Sequence, residues 1–128
     1  MVIPAPNLYA AWIGFLLGAV AGSLQGLFFH REDWLGGYAS WTRRMLRLGH
    51  VSFFGIGLLN LAFALTLGGP ATDPRALWCS RLFLLAAVAM PVLCYVSAFR
   101  PSFRHLFFVP VLSVIAGSGT FLWRLVRP

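Results

Sequence analysis

The sequence contains no lysine, and its 128 residues include only three acids, Glu32, Asp33 and Asp73. Charged side chains make up 10% of the chain. A soluble domain carries about 25%, because it must cover its surface with polar groups. That shortage excludes an ordinary water-soluble globule. HExxH and CxxCH ligand patterns are missing, as are paired acids and any serine or cysteine set beside a histidine in a recognisable motif. The chain is therefore read as non-catalytic, with no cofactor expected. Cysteine is scarce as well. Cys79 and Cys94 lie on one helical stretch, about 22 Å apart along its axis, too far to pair with each other. Small, apolar packing is the reading for both.

What is present is hydrocarbon. The chain is 59% hydrophobic, with a mean hydropathy of +0.81. A spanning helix needs roughly 20 mainly apolar residues to cross about 30 Å of lipid. Four such stretches are found, at about 8–29, 48–68, 77–99 and 105–125. They use most of the chain, so residues 1–128 form one domain. The fold class is an all-α integral membrane protein: a four-transmembrane-helix bundle with short loops and an interfacial first loop. The first span has no basic segment before it, and its apolar run exceeds that of a signal peptide, so it is expected to be retained. No lipidation motif is expected either, since Val2 stands where a myristoylated glycine would be.

All ten basic residues are arginine, and they sit at span ends rather than in one stripe. That distribution argues against nucleic acid and for lipid headgroups as contacts. Arg31, Arg43, Arg44, Arg47, Arg100 and Arg104 fall in the first and third connections, while Arg75, Arg81, Arg124 and Arg127 fall on the other side. The positive-inside rule then places both termini outside the cytoplasm, in a bacterial inner membrane.

The first span carries Gly14, Gly18, Gly22 and Gly26, three overlapping GxxxG steps, with His30 the next in the row. Glycine is a poor helix former. In lipid, however, association depends on close van der Waals contact, and glycine lets two backbones approach. The row is expected to bury against another helix as a glycine zipper, in this chain or in a second copy. Gln25 and Asn60 are intramembrane polar groups suited to hydrogen bonding between helices. Pro91 and Pro110 are expected to bend the third and fourth spans. In the first loop, Trp34, Tyr38, Trp41 and Met45 share a helical face that Gly36 and Gly37 interrupt, as in a broken amphipathic stretch in the headgroup layer.

Three histidines carry the sharpest chemistry. His30 ends the first span, His50 lies just inside the second and His105 starts the fourth, so alternating spans bring all three to one membrane face. Neutral imidazole is a good ligand for iron, copper or zinc. His50 is the deepest and shares a face with Gly57 and Ala64. Each histidine also has an arginine close by, as interfacial anchors do. The leading functional reading is a small non-catalytic membrane protein acting through helix–helix contacts, an accessory or assembly subunit or a homo-oligomer. Its partners are then membrane lipid and other membrane subunits or itself. One alternative is a membrane protein binding haem b or copper through His50 with His30 or His105. A second is a small-solute transporter acting as a dimer.

Overall fold

A computed structural model describes residues 4–67 and 72–127. Four α-helices dominate: α1 (Ala5–Gly26), α2 (Trp41–Thr66), α3 (Pro74–Phe99) and α4 (Phe108–Val126). Short 3-10 segments cover Trp34–Gly36 and Pro101–Phe107, the latter running directly into α4. All four helical units are long and apolar enough to cross a membrane, so this is an integral membrane protein with four spans.

The helix ends follow local chemistry. Two prolines, Pro4 and Pro6, start α1 without a side-chain cap. The Ser40 hydroxyl caps α2 by accepting from the Arg43 N–H at 3.2 Å, and the Asp73 carboxylate caps α3 by accepting from the Arg75 N–H at 3.3 Å. α3 stops at Arg100, which takes extended geometry because Pro101 follows it. Pro110, expected to bend the fourth span, lies at the start of its α-helical part. The α-helix begins only at Phe108, so Pro110 sits in its first turn, where the missing N–H has no intrahelical role. Pro91 does lie inside α3 and is buried.

Several boundaries differ from the hydropathy reading by about three residues, and the start of α2 by more. α1 ends at Gly26 rather than near 29, and α2 begins at Trp41 rather than near 48. Hydropathy finds the lipid-facing part of a helix and misses a polar extension such as Thr42, Arg43 and Arg44. Between α1 and α2 the chain turns sharply through Leu35 (φ 52°), Gly36 (φ 85°) and Gly37 (φ 94°). Glycine takes the left-handed region freely, whereas Leu35 adopts it at a cost of about 1–2 kcal/mol. The Ser40 hydroxyl holds this turn by donating to the Leu35 carbonyl at 2.8 Å.

Sequential helices pack side by side, and α3 touches each of the other three. α1 and α4 make no contact and flank the α2–α3 pair separately. The register follows from the contacts: Gly14 opposes Phe53, Gly18 opposes Phe54 and Gly22 opposes His50, an antiparallel alignment of α1 with α2. At the far end, Phe63, Leu67, Ala76, Cys79 and Phe83 form the apolar core, with Phe63 and Phe83 edge to face at 5.3 Å. Gly117 of α4 receives the Phe83 ring, since a Cβ there would lie 2.7 Å from it. Both cysteines are buried and unpaired. Just before α3, Asp73 pairs with Arg124 of the last turn of α4 at 2.9 Å, which holds that carboxyl below its ordinary value of 3.8.

Several polar groups inside the spans are tied within the chain, as lipid favours. Asn7 Nδ2 donates to Asn60 Oδ1 at 2.8 Å, and the Ser80 hydroxyl donates to Asn7 Oδ1 at 2.5 Å. Asn60 Nδ2 donates to the Ile56 carbonyl at 2.9 Å and to the Phe83 carbonyl at 3.2 Å. This cluster joins α1, α2 and α3, and both asparagines are fully buried. Among the described residues, Thr66 bonds only its own helix, donating to the Ala62 carbonyl. Asn60→Ala should therefore destabilise the protein by about 1–2 kcal/mol in reversible detergent unfolding. Thr66→Val should change it by less than about 0.5 kcal/mol. Equal effects would contradict the assigned role of the cluster.

Candidate functional site

The end of the bundle that carries the histidines is formed by the C-termini of α1 and α3, the N-terminus of α2 and the 3-10 segment before α4. Two bonds fasten it. Trp41 Nε1 donates to the Ser97 carbonyl at 2.7 Å, and the Thr42 hydroxyl donates to the Ala98 carbonyl at 3.0 Å. The last turn of α3 is thereby joined to the first turn of α2.

The three histidines share this end without forming one site. His30 is exposed in the turn after α1, and His105 is exposed in the 3-10 segment. His50 is half-buried on α2, its Nε2 set directly against Gly22 and its ring edge-on to Phe54 at 5.5 Å. The segment bearing His105 packs on α3 and α4 and touches neither α1 nor α2. No hydrogen bond or ring contact joins any two of the three among the described residues. Nor do three His, Cys, Asp or Glu side chains converge there as a metal site. His50 fills a notch made by the glycine row, so the space left by Gly22 is taken up by imidazole.

The candidate packing residues divide in the same way. Gly14, Gly18 and Gly22 lie against α2 of the same chain. A Cβ on Gly14 would stand 2.9 Å from the Phe53 carbonyl oxygen, and one on Gly18 would stand 2.7 Å from the Phe54 ring. Gly26, the last helical residue, has open space beside it. Of the two polar candidates, Asn60 belongs to the central cluster. Gln25 is buried at the other end of α1, where its Nε2 donates to the Tyr95 hydroxyl at 2.8 Å while its Oε1 has no hydrogen-bond partner.

Arg43 was expected among the headgroup-facing arginines. Instead it is buried at 3% exposure. Its guanidinium donates to the backbone carbonyls of Phe29, Arg31 and Glu32 at 3.3–3.5 Å, and lies within 5.5–5.7 Å of the Phe29, Trp34 and Tyr38 ring centres. These contacts close the chain just after α1, supplying donors to carbonyls that have left the helix. Arg47 stacks on Tyr38 at 4.1 Å. The sequence signal for this arrangement was an arginine spaced among interfacial aromatics, which reads equally well as a headgroup anchor. Asn7 and Ser80 were also missed, because hydropathy placed Asn7 just outside the first span.

Chemically, this end is a cationic, aromatic-rimmed surface over a closed interior. Comparison with family models, with curated proteins and with solved structures gives no match for the chain.

Proposed function

We propose that this chain is a non-catalytic integral membrane protein that works through helix–helix contacts, as an accessory or assembly subunit of a larger membrane complex or as a homo-oligomer. The observation that carries this reading is the one-sided packing of the outer helices. Only 17% of the most apolar window of α1, and of the span containing α4, is buried inside the chain, against 33% for α2 and α3. Gly14, Gly18, Gly22, Gly49, Gly57 and Gly117 lie against neighbouring helices, whereas Gly55 of α2 and Gly119 of α4 are exposed, and a Cβ at either would meet nothing within 4 Å. An unfilled glycine in a helix costs nearly 1 kcal/mol against alanine. A facing helix of another subunit would use that space. Polar groups such as Asn7, Asn60 and Ser80 are engaged with one another, which supports a packing role over a solute path.

The arginine distribution supports an inner-membrane orientation with the histidine end in the cytoplasm and both termini outside it. Blue native electrophoresis of membranes in mild detergent tests the assembly reading. Gly119→Leu should lower the apparent assembly size or dissociate a partner while leaving the chain folded, because its side chain enters open space. A wild-type protein that migrates as a lone monomer, or a variant assembled like wild type, would overturn the reading. In the same cells, a C-terminal alkaline phosphatase fusion should be active, and a fluorescent cytoplasmic reporter at that position would reverse the orientation.

A further inference from the structure

α1 and α3 run parallel and are tied by side-chain hydrogen bonds at two levels, Asn7 with Ser80 and Gln25 with Tyr95. Between those levels a groove of about 570 Å³ opens over Phe53 and Gly57 of α2. Its walls include Ile13 and Leu17 of α1 and Val88 and Val92 of α3. It contains no charged residue. At Tyr95 and Val96 it adjoins a second depression of about 490 Å³, lined further by Phe99, Arg100 and Phe103.

The two together make one track along α3, from Ala87 to Arg100. Thirteen residues of helix rise roughly 20 Å. Half of the hydrocarbon thickness is about 15 Å, so the track has the length of one leaflet and ends in the headgroup layer. Arg100 is exposed at that end, followed by exposed Arg104. The ion pair found among the described residues, Arg124 with Asp73, lies at the opposite end of the helices. Arg100 thus faces the interface as a cation without a carboxylate.

We propose that this track binds a single anionic phospholipid, with one acyl chain in the α1–α3 groove and the phosphate on Arg100. Charge complementarity selects this occupant over a helix of another protein. A helix laid along the whole track would cover Arg100 in an apolar contact, where an unpaired charge is strongly disfavoured. The exposed rim of the groove is also branched and bulky, with Ile13, Leu17, Val88 and Val92, whereas its small residues, Ala10, Gly14, Gly57 and Ala87, are less exposed, so an approaching helix would meet the bulky rim first. A flexible alkyl chain fits such walls, and guanidinium pairs with phosphate through charge-assisted hydrogen bonds.

Native mass spectrometry of the purified, delipidated chain tests this with phosphatidylglycerol and phosphatidylcholine added separately. Wild type should retain phosphatidylglycerol preferentially, in a one-to-one adduct. Arg100→Gln should weaken that adduct roughly fivefold, to the level of phosphatidylcholine. Arg127→Gln, at the other end, should leave it unchanged. Val92→Phe should weaken both lipids by filling the groove, and because Val92 is half exposed it should fold as wild type does. The proposal is overturned if the two lipids bind alike, if Arg100→Gln binds phosphatidylglycerol as wild type does, or if Val92→Phe removes a protein partner and no lipid.

Discussion

Between α1 and α2 the backbones approach so closely that a methyl group on Gly14 would press against a main-chain carbonyl of the facing helix. No rotamer change can relieve that contact, because the obstacle is backbone. The rest of the structure depends on this approach. It sets the register that puts Phe54 over Gly18 and His50 against Gly22, and it brings Asn7 within reach of Asn60. In lipid, where apolar burial gives helices no reason to associate, close contact and internal hydrogen bonding are the available sources of cohesion. α1 draws on both, with glycines along its length and an amide near each end.

The second source works by the same logic at a different scale. Each amide bond between spans contributes about 0.6–2 kcal/mol, which is modest, but an unpaired amide in hydrocarbon would cost several kcal/mol. The cluster of Asn7, Asn60 and Ser80 therefore specifies which helices meet and at which level more than it adds strength. Arg43 plays a parallel part at the interface, where it collects three carbonyls that α1 leaves behind as it ends. Its charge stabilises a loop, Arg47 stacks on Tyr38, and Arg31, Arg44, Arg100 and Arg104 at that end stay exposed. A bundle fastened this way on the inside leaves α1 and α4 with broad apolar faces toward the bilayer, and those faces are where lipids and partner helices can act.

Much of this was readable from residues alone, for definable reasons. Span number follows from hydropathy because the bilayer fixes the length of an apolar run. The glycine row was visible because four-residue spacing is a property of sequence. Its occupants were not visible: that Phe54 and His50 fill the notches depends on the antiparallel register, which no local pattern encodes. Gly26 shows the limit of the same rule, since the row continues in sequence while the helix that gave it meaning has ended. The histidines show another. Spacing from the span ends gives their depth, but their position around the bundle depends on which helices touch, and the 3-10 segment bearing His105 packs on α3 and α4. Asn7 escaped notice because it sits before the hydropathy window, although its partners lie deep between the helices.

The account is tested most directly by a double-mutant cycle across the close contact, read as unfolding free energy in detergent. A Cβ on Gly18 would lie 2.7 Å from the Phe54 ring. Gly18→Ala should therefore destabilise the wild type by about 1–3 kcal/mol. In a Phe54→Leu background, where that ring is gone, the same change should cost little or nothing. Additive effects, with no coupling between the two positions, would mean that α1 and α2 do not meet along this face, and the account would be wrong.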